Sequence, residues 1–283
     1  MAVLASRLAI KTALTLGALR RQDVAKRLPR QAEPNAQRAA YLKALLDGPW
    51  ATLRQLIAEA FTPEVLARLA RKYEDVQGAR SDADDDVDGL FDNIENRFFK
   101  LWSRKRMARL AERAGGQVNK FQARQLNKQL LETIGVDVVG GEPELAPVIA
   151  AFTKENVSLM RSASQDLLST TESQLMRALS DGVRPEGLAK IIAERGEVSE
   201  SRAALIARDQ VGKLYGDLNR VRQTGIGVTG YIWRTVKDNR VREEHEQRDG
   251  KPFDWKNPPS DGHPGEAINC RCYAEPDLSG LLE

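Results

Sequence analysis

GVTGYIWRTVKDNRVREEHEQRDGKPFDWKNPPSDGHPGEAINCRCYAEP, residues 227–276, contains every histidine and every cysteine of the chain. Its first ten residues, GVTGYIWRTV at 227–236, are rich in β-branched and aromatic side chains and read as a strand. CRCYAE at 270–275 reads as a second strand able to pair with it. Between them, 238–269 is dense in Gly, Pro, Asp and Asn, the composition of loops and turns. The stretch therefore predicts a small α+β unit that packs Trp233 inside.

Upstream the pattern changes to helical spacing. LLDGPWATLRQLIAEAF and LLSTTESQLMRALSDG repeat leucine at intervals of three and four. Helices are expected at about 2–27, 36–47, 50–60, 64–77, 90–113, 117–134, 155–180, 185–195 and 199–224, with a short strand candidate at 136–139. Thr62 before Pro63 is a start signal, and Gly135, Gly182 and Gly225 stand where helix ends are capped. The expected fold is mostly α, with long N-terminal and central helices and a small α+β C-terminal subdomain. Glycines and prolines near 135–150 suggest a division into 1–135, 136–226 and 227–283.

The chain has 283 residues, 41% apolar and 29% charged, a globular rather than disordered composition. Its net charge of +3 is unevenly distributed. Nine acids lie in 74–96 against Arg80 alone, and ten Lys/Arg lie in 97–128 against Glu112 alone. The second block, RFFKLWSRKRMARLAERAGGQVNKFQARQLNK, has an apolar stripe through Phe98, Phe99, Trp102 and Met107. Its cationic face is expected either to meet DNA backbone or an acidic protein, or simply to be solvated beside the acidic run. No apolar run reaches the roughly 18 residues a membrane span needs, so no membrane partner is expected. The apolar N-terminus is interrupted by Arg7 and Lys11 and reads as a helix rather than a signal peptide. There is no Walker A loop, no G-x-G-x-x-G and no G-x-S-x-G.

His245, His263, Cys270 and Cys272 are the usual soft metal ligands, and two imidazoles with two thiolates suit tetrahedral zinc. The spacing is not that of a zinc finger, and C-x-C chelates one ion only if the chain turns there, for which Asn269 is suited. Bridging so near a pair would strain a disulfide, so the thiols read as reduced or metal-bound. The alternative is that the histidines hydrogen-bond backbone groups and the cysteines are small buried residues. A metal-dependent hydrolase would also draw on Glu243, Glu244, Asp238 or Asp249 as base or ligand.

Asp84, Asp86, Asp88, Gly89 and Glu95 match D-x-D-x-D-G-x5-E, with Asp92 at the ninth position, the form of a calcium-binding EF-hand loop. The competing reading is an acidic first turn on a helix starting near Leu90, favoured by the helix dipole.

The order Trp233, Thr235, Asp238, Arg240, Val241, Arg242, His245, Asp249, Gly250, Pro258, Pro259, His263, Pro264, Asn269, Cys270, Arg271, Cys272 follows W-x-T-x-x-D-x-R-V-R-x-x-H, D-G, P-P, H-P and N-C-R-C. This resembles the Mu F-like minor head, or head-morphogenesis, proteins of tailed phages. VNKFQARQLNKQLLETIGVDVV, FTKENVSLMRS and ESRAALIARDQ agree in look and order, so the resemblance covers about 118–276. GEAI at 265–268 departs from it, separating His-Pro from Asn-Cys-Arg-Cys. The resemblance implies a non-enzymatic, low-copy protein made in the host cytoplasm and housed in the virion head interior. Its partners would be the portal, with scaffolding or major capsid protein, during head assembly and DNA packaging or delivery. It also implies that the motif residues Trp233, Asp238, Arg240, Arg242, Asp249, Gly250, Asn269 and Arg271 serve the segment's own fold. A DNA-binding protein or a metal-dependent hydrolase built on the His/Cys cluster is the alternative.

Overall fold

In the computed structural model the described residues are Thr12, 28–74, 80–134 and 145–279. The expected strand at 136–139 and nearly all of the expected helix at 2–27 lie outside them. Among the described residues, seven α-helices precede the sheet: α1 Asn35–Leu45, α2 Ala51–Ala60, α3 Pro63–Glu74, α4 Arg80–Leu101, α5 Arg104–Ile134, α6 Ala146–Ser180 and α7 Pro185–Gly225. Strand β1 Gly230–Arg234, the single turn α8 Glu243–Glu246, β2 Pro252–Asp254 and β3 Tyr273–Asp277 follow. The molecule is thus mostly α with a small C-terminal sheet, as the sequence predicts.

Contacts gather the chain into two units: Ala40–Ala111 with Lys154–Ala207, and Met1–Ala39 with Glu112–Thr153 and Arg208–Glu283. In the first, α2 and α3 both pack on α4. The contact follows from one stripe: Val87, Phe91, Ile94 and Phe98 recur every three or four residues on α4, and all are buried. That stripe overrides the calcium-loop expectation. Asp84, Asp86, Asp88, Asp92 and Glu95 lie within the unbroken helix α4, so the loop that an EF-hand requires does not form.

The helix boundaries correct four further expectations. α4 ends at Leu101, and Ser103 caps α5 by accepting a hydrogen bond at its hydroxyl from the Arg106 N–H, 3.4 Å. α5 then runs through Gly115 and Gly116, where a break is expected. Gly115 lacks a side chain because Phe152 lies against it, only 3.3 Å from where a Cβ would stand. α7 likewise runs through Gly196 and joins the two helices expected at 185–195 and 199–224; one helical glycine costs only about 1 kcal/mol, which packing can offset. Gly182 ends α6, as expected, at a positive φ of 70°, with Val183 N–H bonding Ala178 O and Gly182 N–H bonding Leu179 O. Gly227, not Gly225, does the same for α7, with bonds to Thr224 O and, from Val228, to Gln223 O.

In the second unit β1 is the centre of an antiparallel sheet ordered β2-β1-β3, with Trp233 opposite Ala274 and Tyr231 opposite both Phe253 and Pro276. β1 alternates as half-buried strands do, Tyr231 and Trp233 pointing inward. β3 is joined to the helices by polar groups. Asn219 and Gln223 of α7 both donate to Ala274 O, at 2.6 and 2.9 Å. Tyr215 donates to Gln31, which donates to Gln129 of α5, at 2.8 Å each. These groups are buried and each makes at least one hydrogen bond, Gln223 Oε1 alone among them being left without a partner.

Candidate functional site

The sheet presents Trp233 to the short turn α8. That turn places His245, 2% exposed, edge-on to the indole with ring centroids 5.1 Å apart. His245 Nε2 meets Asp261 Oδ2 at 2.7 Å, and the other carboxylate oxygen accepts from Arg248 at 2.5 Å. The Arg248 guanidinium in turn lies 5.0 Å over the Trp233 ring. With Nε2 held by Asp261, the imidazole turns Nδ1 to the other side.

Both thiols stand on that side. Cys272 Sγ is 3.4 Å and Cys270 Sγ 3.6 Å from His245 Nδ1. In extended chain, residues two apart line one face and the residue between them the other. Arg271 accordingly points away, pairing with Glu33 at 2.9 Å and with Asp238. The entry to this segment is Asn269, at φ 57°, with its N–H held by Asp209 of α7 at 2.9 Å. Asparagine tolerates this left-handed conformation better than most residues.

The electrostatics of the three groups are interdependent. A hydrogen bond from Cys272, then one from His245, draws the Cys270 thiol well below the usual range against burial. Cys272 is driven upward by its bond to Cys270 and by burial, so the pair favours a single thiolate. The Cys270 contact, and more weakly Asp261, raises His245.

Of the four residues singled out by type, the structure brings three together. The ligand atoms of His245, Cys270 and Cys272 lie within 4.8 Å of one another. His263 stands outside this group: its Nδ1 pairs with the Tyr231 hydroxyl at 2.9 Å, its ring packs against Trp255, and burial lowers its pKa. The four-ligand set is thus corrected to three. Tyr231 competes for the second imidazole inside the aromatic core.

The motif residues are engaged locally. Asp249 accepts from Thr235 N–H at 2.9 Å and pairs with Lys237, Arg242 donates to Ile268 O at 2.7 Å, and Gly250 takes a positive φ of 81°. Asp238 is bound by Arg271, and Arg240 N–H donates to Asp238 at 3.1 Å. Glu243 and Glu244 are exposed. Asp238, Asp249 and Asp261 are thus each bound to groups of the same unit.

Sequence reasoning missed Asp261 and Arg248, because an aspartate in P-P-S-D-G-H reads as a turn residue. It also missed Gly212 and Gly216 of α7, one turn apart. A Cβ on Gly216 would meet Pro264 O at 2.6 Å, and one on Gly212 would meet Cys270 O at 3.5 Å. The G-x-x-x-G spacing on α7 was the available signal, since it lets two backbones approach closely.

Comparison with known proteins returns the same region. Residues 169–275 match the family model described as Phage Mu protein F like protein. An uncharacterised protein of Haemophilus influenzae is 34% identical over 172 residues, 58% of this chain and 38% of its own length. The chain thus spans well under half of that relative. No solved structure matches.

Proposed function

We propose, from the match of residues 169–275 to the Mu F-like family, that the chain is a phage head-morphogenesis protein and a non-enzymatic internal component of the phage head. It is present in few copies and associates with the portal while the procapsid is assembled and DNA is packaged or delivered. Scaffolding or major capsid protein is its further contact. Its setting is the host cytoplasm during assembly and then the head interior. The observation that carries the non-enzymatic reading is the use of the motif residues: Asp238, Asp249, Arg242, Asn269 and Arg271 each bind a group of their own unit. Among the described residues no helix is long and apolar enough to cross a membrane.

The test is co-sedimentation of the full chain with portal protein and its detection in procapsids and virions. Association is expected to weaken from low to physiological salt if charge drives it, because screening shortens to about 8 Å. A chain absent from both particles, or metal-dependent turnover that requires His245, would refute the reading.

Direct contact with DNA is a second reading, favoured by α5. Arg104, Lys105, Arg109, Arg113, Lys120, Arg124 and Lys128 are exposed along it, several of them at intervals of four. Duplex DNA of arbitrary sequence should bind with strong salt dependence. Lys120→Ala with Arg124→Ala should lower the slope of log K against log salt by about 2, roughly one unit for each phosphate that is no longer neutralised. An unchanged slope removes α5 from the interface.

A further inference from the structure

We propose that His245 Nδ1, Cys270 Sγ and Cys272 Sγ are three ligands of a bound zinc ion, with a water or solute anion in the fourth position. The inference is independent of the head-assembly reading.

Three observations carry it. The first is distance. Zinc–sulfur bonds near 2.3 Å and zinc–nitrogen bonds near 2.05 Å at a tetrahedral angle place sulfur and nitrogen about 3.6 Å apart. The observed separations are 3.4 and 3.6 Å. The second is orientation. A metal-bound imidazole gives its other N–H to a carboxylate that is itself held in place, and here Asp261 takes Nε2 while Arg248 secures Asp261. The third is the chain path. Asn269 in the left-handed conformation, with Arg271 drawn outward by Glu33 and Asp238, turns both sulfurs of a C-x-C segment to one side.

Two thiolates and an imidazole favour zinc over the harder cations, which prefer oxygen. All three side chains are less than a tenth exposed, so the metal would sit in the core cluster with Trp233, Tyr231 and Trp255. There it would tie α8 to the entry of β3. Each bound thiol surrenders its proton, and the ion supplies the charge that two adjacent thiolates otherwise lack.

The experiment uses the full chain without an affinity tag, made in zinc-supplemented cells. Elemental analysis should find about one zinc per chain. Chelation followed by Co²⁺ should give an intense thiolate-to-cobalt charge-transfer band, and chelation alone should open both cysteines to iodoacetamide. Cys270→Ser and Cys272→Ser should each lose the metal, and His263→Gln should keep it. Asp261→Asn should weaken zinc affinity about 10–100-fold, as for other groups behind a ligand. Because the serine variants can fail to fold, the wild-type chain decides the matter. Folded by circular dichroism, it overturns the proposal if it holds less than about a tenth of an equivalent of zinc and gives no cobalt–thiolate band. Loss of zinc in a folded His263→Gln would overturn the three-ligand set, and unchanged affinity in Asp261→Asn would overturn the role given to that carboxylate.

Discussion

Trp233→Ala is expected to cost about 3–5 kcal/mol, the range for deleting a fully buried aromatic side chain. Trp233 is among the largest of the side chains with no exposure. Its indole packs edge-on against Phe253 at 5.6 Å and against His245 at 5.1 Å, with Tyr231 at 6.5 Å and Arg248 over its face. Its backbone pairs with Ala274 of β3, which α7 holds through Asn219 and Gln223. The side chain therefore supports the sheet, the histidine turn and the salt bridge of Arg248 at once. A domain's whole stability is on the order of 5–15 kcal/mol, so the loss should lower the denaturation midpoint markedly. Hydrogen exchange localises it: the amides of β1 and β3 should lose protection. Trp233→Phe should recover part of the loss. A midpoint within experimental error of wild type would contradict the packing described.

How far this arrangement was legible in the chain depends on which forces set each part. β1 could be read because GVTGYIWRTV is rich in aromatic and β-branched residues, whereas β3 was legible only in part: the strand expected at 270–275 begins at Tyr273 and runs to Asp277. β2 could not, since Pro252-Phe253-Asp254 reads as turn and becomes a strand only by pairing with β1. The acidic run shows how a pattern match fails. D-x-D-x-D-G constrains loop residues, but Val87, Phe91, Ile94 and Phe98 run through the same segment at helical spacing, and burial of that stripe decides the outcome. Break signals at Gly115–Gly116 and Gly196 were real local preferences overridden by packing. For the site, residue type identified His245, Cys270 and Cys272, but no spacing rule could tell which histidine would be claimed by Tyr231. Nor could local sequence reveal that Gln31 and Glu33, some 240 residues before Arg271, would bind Gln129 and Arg271. Such partners are set by the tertiary fold alone.

The glycines of α7 and α5 provide a test in which helix propensity and packing predict opposite signs. Alanine is the better helix former by about 1 kcal/mol, so propensity alone says that any Gly→Ala change inside a helix stabilises. Gly116→Ala on α5 should do so by about 0.5–1 kcal/mol, since nothing lies within 4 Å of the added carbon. Gly216→Ala on α7 should instead destabilise by about 1–3 kcal/mol, as overpacking does. Its Cβ would fall 2.6 Å from Pro264 O and 3.4 Å from Gly265 Cα, and these are backbone atoms that cannot rotate aside. Gly265 cannot yield readily either: it holds φ 102°, and its own Cα side faces the Gly212 carbonyl, 3.1 Å from where a Cβ would stand. The strain would pass along the chain to Asn269 and the two cysteines, so iodoacetamide should label Cys270 and Cys272 faster in Gly216→Ala than in wild type. Denaturation midpoints of the two variants, measured side by side, decide the point. If both rise, the close approach of α7 to the His263–Gly265 turn is not a packed contact.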